Sequence, residues 1–291
     1  MADAKQQQAE LRSAVRQLAQ SDDRITAAAA YGSYTRGEDD DFSDVEFILY
    51  IRPDALAAFS AGFADWVRQV RPILLAYQSY VGNQWVVFDN LVRGEFDLMP
   101  DTKIGDLDDW PVEPIVDVAR MVLLDKTGEG RLWAMAERLQ ERAATDKGPD
   151  PRALFSQLAN EVWYHLLFVH NYLSRGDYWA GRYLLEGMVQ NPLVRMVRIA
   201  RGNLNGAFRW TPRGLESDLP PEVVDGFRAI TCRYEPEEIR QAWCGTVAFA
   251  REICAATSWP YPSALAEQLA VIATNMPSRR LDDERNPSSY H

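Results

Sequence analysis

The stretch that decides the fold is residues 31–51, YGSYTRGEDDDFSDVEFILYI. A short apolar run, residues 25–31, leads into Gly32 and Ser33, and a second run dense in β-forming residues occupies 45–51. Glycine at the end of a strand allows the backbone to approach a ligand closely, and serine can donate a hydrogen bond to phosphate oxygens. The stretch therefore predicts two neighbouring strands with a phosphate-binding turn between them.

Two acidic residues stand at the head of the second predicted strand. Asp44 and Glu46 are two residues apart, so on a strand their carboxylates lie on the same face. Carboxylate oxygens are the ligands that Mg²⁺ takes in proteins, usually one or two of them together with substrate phosphates. Next to the Gly-Ser turn, the pair predicts a magnesium and triphosphate site.

A third acidic strand follows later in the chain. The segment 95–99 places Glu95 and Asp97 on one face of a strand that Pro100 ends. Further strands are predicted at 73–77, 84–88 and 121–124, and helices at 8–20, 33–37 and 55–70. Residues 1–145 are thus expected to form a domain with a mixed sheet.

The rest of the chain has a helical pattern. Residues 143–152, rich in charge and containing Gly and two Pro residues, form the best linker candidate. Apolar residues then recur at three- and four-residue spacing over five predicted helices, at 154–174, 178–199, 222–230, 235–257 and 262–274. We expect an all-α domain over 150–276 and a polar tail over 277–291, so that the whole fold is α+β.

Composition narrows the classes of function. The 291 residues are 47% hydrophobic and carry a net charge of −11, and no apolar run approaches the roughly 20 residues of a membrane helix. We therefore expect a cytoplasmic protein with no membrane association. Without a Lys/Arg cluster, a long nucleic acid is a poor partner, whereas a small cationic molecule suits an acidic surface. Monomer and homodimer both remain open.

The motifs resemble a known superfamily. Tyr31-Gly32-Ser33, Asp44-Val45-Glu46 and the later acidic strand look like the polymerase-β-type nucleotidyltransferases over about the first 140 residues. More narrowly, YGSYTRGEDDDFSDVEF followed by LVRGEFDLMP is similar to the lincosamide nucleotidyltransferases. The resemblance implies a nucleotidyltransferase domain followed by a helical domain that binds the acceptor.

The resemblance also assigns roles in the first domain. It implies that Gly32 and Ser33 contact the ATP triphosphate and that Asp44 and Glu46 hold two Mg²⁺ ions. The third acidic position falls on Glu95, as metal ligand or general base, with Asp97 as the rival.

Two further assignments are less direct. Arg36 could neutralise charge on the γ-phosphate or pair with nearby acids at the surface. In the helical half, the resemblance to antibiotic nucleotidyltransferases implies that a carboxylate of the second domain can serve as base, and Glu161 is the candidate. The alternatives for Glu161 are a structural hydrogen-bonding role and an exposed position. The neighbouring Trp163 and Tyr164 belong to an aromatic region that is expected to be mostly core but could form part of the wall of an antibiotic site.

Three functions compete. The first is transfer of AMP from MgATP to a hydroxyl of a lincosamide such as lincomycin or clindamycin, which would confer resistance. The second is an aminoglycoside adenylyltransferase, whose polyamine substrate would need several convergent carboxylates. The third is a nucleotidyltransferase-type toxin–antitoxin component that modifies protein or RNA. The aromatic density of residues 154–183 favours the more apolar drug.

Overall fold

A computed structural model of the chain describes residues 4–109, 117–145, 148–204 and 212–276. The chain divides into two compact units, Met1–Lys147 and Gly148–His291. The division lies within the segment 143–152, where the sequence places a linker. The predicted tail 277–291 lies outside the described residues.

The first unit combines a sheet with short helices. Its strands are β1 (Ile25–Ala30), β2 (Val45–Ile51), β3 (Ile73–Gln78), β4 (Gln84–Phe88), β5 (Arg93–Pro100) and β6 (Val122–Asp125). Its helices are α1 (Ala4–Ser21), α2 (Ser33–Arg36), α3 (Leu56–Ala61), α4 (Phe63–Val67), α5 (Val118–Met121) and α6 (Arg131–Thr145), with a 3₁₀ helix at Asp101–Asp109.

The sheet is mixed. Its strand order is β3-β4-β5-β2-β1-β6, in which β2 and β5 run parallel while the other neighbours run antiparallel. A parallel pair needs a long crossover between its strands, and the chain from β2 to β5 supplies it by passing through α3, α4 and the β3–β4 hairpin. The edge strands of the sheet are β3 and β6.

Strand β2 is buried on both faces. Phe47 and Leu49 pack into a core with α1, α3 and α4, whereas Ile48 and Tyr50 pack on the opposite side with the 3₁₀ helix, α5 and α6. A continuous run of apolar residues is what a strand covered on both sides requires. Glu46, near the start of β2, points to the same side of the sheet as Ile48. Polar side chains therefore begin at this end of the strand, next to the core that contains Ile48.

Most elements of the first unit agree with the sequence-based prediction, with two differences. The helix predicted at 55–70 is two short helices, α3 and α4, which meet at Gly62. Helices α5 and α6 and the 3₁₀ helix were not predicted, and Met121, predicted to begin a strand, is the last residue of α5. The start of α6 is fixed by Asp125, whose carboxylate accepts hydrogen bonds from the backbone of Leu132 (2.9 Å) and Trp133 (3.2 Å).

The second unit is helical over the residues described. Its helices are α7 (Pro151–Ser174), α8 (Tyr178–Leu184), α9 (Asn191–Ala200), α10 (Leu215–Asp218), α11 (Pro221–Ala229), α12 (Pro236–Thr257) and α13 (Ser263–Asn275). The helix predicted at 178–199 contains a π-helical segment, Leu185–Gln190, between α8 and α9. Trp163 of α7 and Trp243 of α12 are the largest side chains in the core, and the Trp243 indole donates to the Leu166 carbonyl (2.8 Å).

Within residues 4–109, 117–145, 148–204 and 212–276, no helix has the length and apolarity needed to cross a membrane.

Candidate active site

Strand pairing brings the acidic residues of β2 and β5 together. In the parallel register Glu46 lies beside Glu95, and the next residues, Phe47 and Phe96, lie beside each other. The Phe47 and Phe96 rings stack at 4.8 Å between centroids in the core on the other side of the sheet. Since side chains alternate along a strand, Glu46 and Glu95 share the opposite face, together with Asp97.

The Gly-Ser turn is in direct contact with this face. The backbone N–H of Ser33 donates to Oε2 of Glu46 at 3.3 Å, and Ser33 itself is buried. Gly32 has φ +74°, and a Cβ added there would overlap the Glu46 carboxylate. Only glycine therefore satisfies both the backbone conformation and the approach of the carboxylate at this position.

The local electrostatics disfavour a dense negative charge. Burial and the neighbouring Asp44 carboxylate raise the pKa of Glu46 to about 7, with Glu95 adding to the rise and the Ser33 N–H and the Arg36 guanidinium opposing it. The pKa of Asp97 is also raised, by burial and by Glu95, against a hydrogen bond with Tyr31. A cluster with raised carboxyl pKa values gains stability when it takes up positive charge, as a proton or as a cation.

Each of the outer carboxylates has a partner of its own. Asp44 forms an ion pair with Arg93 at the start of β5 (3.3 Å). Glu95 accepts a hydrogen bond from the side chain of Asn83, which precedes β4. Asp97 bonds with Tyr31, the residue before the Gly-Ser turn, and burial beside Asp97, Glu95 and Glu46 raises the pKa of the Tyr31 hydroxyl.

Carboxylate oxygens are the kind of ligand that a magnesium ion prefers. In this structure, however, the carboxylates of Asp44 and Glu95 contact Arg93 and Asn83. Among residues 4–109, 117–145, 148–204 and 212–276, no group of three or more His, Cys, Asp or Glu side chains is arranged to hold a metal ion. The oxygens of Asp44, Glu46 and Glu95 are nevertheless hard ligands on one face, and their mutual repulsion is relieved by a cation. The residues present therefore fit a divalent cation bound by carboxylates.

The structure brings together most of the residues that the sequence singled out. Gly32, Ser33, Asp44, Glu46, Glu95 and Asp97 all lie around the β1, β2 and β5 strands. Arg36 forms an ion pair with Glu38 (3.2 Å), as in the surface-pairing interpretation, and its charge also lowers the Glu46 pKa, whereas contact with a γ-phosphate stays a prediction.

Sequence reasoning assigned no role to Tyr31, Asn83 or Arg93, which contact the acidic residues. Tyr31 directly precedes Gly32 and Ser33, so the sequence alone places it next to the predicted site. Asn83 and Arg93 reach Glu95 and Asp44 only through strand pairing, which local pattern does not reveal.

The residues predicted in the second unit differ in exposure. Trp163 is fully buried in the helical core, which corrects the prediction that it binds substrate, because α7 is central and packs on its Trp163 side. Tyr164, the next residue of α7, is exposed. Glu161 is half-buried, and Gln157 one turn earlier donates to its carboxylate (3.4 Å).

Comparisons with known proteins give one family match, within the helical unit, and structural matches of low identity over most of the chain. No curated protein matches the chain. A crystal structure of an aminoglycoside 6-adenyltransferase from Bacillus subtilis has 14% identity and a TM-score of 0.41, covering 92% of this chain and 97% of its own. A nucleotidyltransferase-like protein from Exiguobacterium sibiricum has 13% identity and a TM-score of 0.38, covering 91% and 87%. Residues 153–274 match the family described as lincosamide nucleotidyltransferase-like, C-terminal domain. The match covers most of the helical unit and does not extend into the first unit.

Proposed function

We propose that the protein is an enzyme that transfers AMP from MgATP to a hydroxyl of a lincosamide. The observation that carries the proposal is the carboxylate face of β2 and β5, with Glu46 held against the Gly32–Ser33 turn. A triphosphate bound at this turn would lie next to cations bound by the carboxylates, as nucleotidyl transfer requires.

The donor side lies at β1 and β2. Asp44 and Glu46 would hold two magnesium ions, which when bound neutralise the triphosphate and stabilise the attacking and leaving oxygens. The backbone N–H and hydroxyl of Ser33 would donate to phosphate oxygens. Arg36 would add positive charge on the same side, since its guanidinium already acts on Glu46.

The acceptor side lies at β5. Glu95 would accept the proton of the acceptor hydroxyl as its oxygen forms a bond to the α-phosphorus and pyrophosphate leaves. Asn83 holds one oxygen of Glu95, which fixes the orientation of the carboxylate. Asp97 is bonded to Tyr31, which supports a role in positioning Tyr31 beside the Gly-Ser turn rather than as the base.

The choice of a lincosamide rests on the helical unit. Residues 153–274 match the family described as lincosamide nucleotidyltransferase-like, C-terminal domain, and the net charge of −11 suits a drug that carries an amine. Tyr164 and Glu161 on α7 are the candidate contacts that this unit offers. We place the reaction in the cytoplasm, with a nucleotide and a small-molecule drug as the partners of a monomer or homodimer.

The test is a panel of acceptors incubated with the purified protein and MgATP, read by mass spectrometry. We expect clindamycin and lincomycin to gain an adenylyl group, with pyrophosphate released in equal amount, and the Glu46→Gln variant to give no product. Modification of kanamycin alone would overturn the lincosamide assignment. Label transferred from radioactive ATP to a protein or RNA would favour the toxin–antitoxin class instead.

A further inference from the structure

The carboxylate face continues across the sheet into an apolar surface. Trp85 of β4 pairs with Glu95 of β5, and Tyr77 of β3 pairs with Trp85. Because residues paired across neighbouring strands point to the same face, Tyr77, Trp85, Glu95 and Glu46 form one row. The order of the row is aromatic, aromatic, acid, acid.

The aromatic end of this row is open to solvent. Trp85 is 43% exposed and Tyr77 is 44% exposed, and their rings meet edge to face with centroids 5.9 Å apart. The adjacent pair, Leu75 and Val87, lies on the same face and extends the surface. We call these four residues the β3–β4 platform.

Such a surface is unusual at the edge of a sheet. Edge strands generally carry charged or bulged positions that discourage association, and a contiguous exposed apolar patch usually marks a binding site. The platform residues of β3, Leu75 and Tyr77, are both exposed and present an aliphatic side chain and an aromatic ring to solvent. We therefore expect the platform to bind a ligand.

We propose that the β3–β4 platform binds the body of the acceptor: an amphipathic, hydroxyl-bearing small molecule with a protonated amine. This inference rests on the proposed function and adds the location and chemical class of its acceptor. The acceptor hydroxyl would lie at Glu95, and its apolar part would lie on Trp85 and Tyr77.

Sheet order assigns the platform to the acceptor rather than to the nucleotide. Gly32 and Ser33 follow β1, on one side of β2, whereas Glu95 and Trp85 lie on β5 and β4, on its other side. A triphosphate on the Gly-Ser turn and an acceptor on the platform would approach Glu46 from opposite directions. In-line displacement requires the attacking and leaving oxygens on opposite sides of phosphorus, and this arrangement provides it.

Size and charge point to the same class of molecule. Neighbouring strands are about 4.8 Å apart, so Tyr77 lies about 10 Å from Glu95 across the sheet, the length of a drug-sized molecule. An amine is attracted by the aromatic faces and by the carboxylates at the end of the row. A highly polar polycation would gain little from Leu75 and Val87.

Trp85→Ala is the decisive variant, and Trp133→Ala is its matched control. Trp133 lies in α6, which packs on β6 at the other edge of the sheet, and it is 40% exposed. We expect Trp85→Ala to raise the KM for clindamycin by about tenfold or more with the KM for MgATP unchanged, because it removes an aromatic contact. Trp85→Phe should recover most of the affinity, and circular dichroism melting confirms that each variant is folded.

Equal kinetics for Trp85→Ala and Trp133→Ala would overturn the inference while leaving the proposed function intact. A raised KM for MgATP alone would assign the platform to the adenine base and would also overturn it. Conversion of a wild-type dimer to a monomer by Trp85→Ala, seen by light scattering, would show that the platform is a subunit interface.

If the wild-type protein does not turn over clindamycin, a calorimetric titration with clindamycin, magnesium and a non-hydrolysable ATP analogue separates the two proposals. Binding that Trp85→Ala abolishes supports the platform although the proposed function fails. No binding to the wild type overturns the platform.

Discussion

At the scale of single residues, the tightest contact in the site is between the backbone of Gly32 and the carboxylate of Glu46. The carboxylate occupies the space that any side chain at position 32 would need, and the backbone there is left-handed. The same carboxylate accepts the Ser33 N–H. Glycine is thus required by the acid on the next strand as much as by the turn itself.

Replacing Gly32 by alanine should therefore impair both stability and turnover. We expect a loss of about 1–3 kcal/mol in the free energy of unfolding from the backbone alone, because φ +74° with ψ −144° is a conformation that residues other than glycine rarely adopt. Displacement of Glu46 should lower kcat by about 100-fold, since a shift of about 1 Å in a reacting group has that effect. Denaturant titration and steady-state kinetics measure the two. Gly105→Ala is the control, because a Cβ there meets nothing within 4 Å, and a Gly32→Ala enzyme as active as this control would contradict the site.

A second experiment should distinguish the roles of the two acidic residues of β5, Glu95 and Asp97. Glu95→Gln removes the proposed base, and we expect kcat to fall by about 100- to 10,000-fold. Asp97→Asn keeps an oxygen for the Tyr31 hydroxyl and should lower kcat far less. Single-turnover rates with MgATP and clindamycin make the comparison. The reverse order of effects would identify Asp97 as the base.

At the scale of elements, Asp125 links the last strand of the sheet to α6. Its carboxylate accepts hydrogen bonds from the backbone and hydroxyl of Thr127 (3.0 and 2.6 Å) as well as from the first turn of α6. Burial alone would raise the pKa of Asp125, but these hydrogen bonds outweigh it and hold the pKa below its usual value. The ionised form is thus the one that the fold stabilises.

Asp125→Ala should destabilise the first unit by about 1–2 kcal/mol at pH 7, the usual value of a helix N-cap. Because the pKa is lower in the folded state, the contribution is present above the unfolded pKa and is lost as pH falls through the folded value. The difference between wild type and variant should therefore shrink at strongly acidic pH. Urea titrations across pH test this, with the exposed Asp41→Ala as control; a difference independent of pH would contradict it.

The elements show which parts of the fold local pattern can predict. Strand β2 was predicted over the residues that form it, because VEFILYI is dense in β-formers and ends before Pro53. The helix predicted at 55–70 breaks at Gly62, where propensity yields to the packing of Phe59 and Phe63 on one core. Helix α6 was missed because its start depends on a carboxylate six residues earlier.

At the scale of the whole molecule, each unit has a core of its own. The helical core includes Trp163 and Trp243 and draws on all the long helices of the second unit. The sheet of the first unit has a separate core on each face. Each unit thus satisfies the basic requirement for a domain that folds by itself.

We accordingly expect residues 148–276, expressed alone, to unfold in a single cooperative transition. Residues 1–147, expressed alone, should bind MgATP, and a ligand at 100 times its dissociation constant stabilises a protein by about 2.7 kcal/mol. Thermal melting of both pieces with and without MgATP measures these effects. A helical piece that is unfolded in isolation would contradict its independent folding, and a helical piece that MgATP stabilises would contradict the assignment of the nucleotide site to the first unit.

The amino-acid sequence by itself determined most of the helices and strands and singled out the candidate donor residues, because alternation, helical spacing and the Gly-Ser and Asp-x-Glu motifs act over a few neighbouring positions. Tertiary structure alone decided which residues surround them. The parallel pairing of β2 with β5 set Glu46 beside Glu95, and the antiparallel hairpin then set Trp85 and Tyr77 in the same row. The burial of Trp163 was likewise decided by packing. Register and packing join residues that are distant along the chain, and no local pattern encodes which of them will meet.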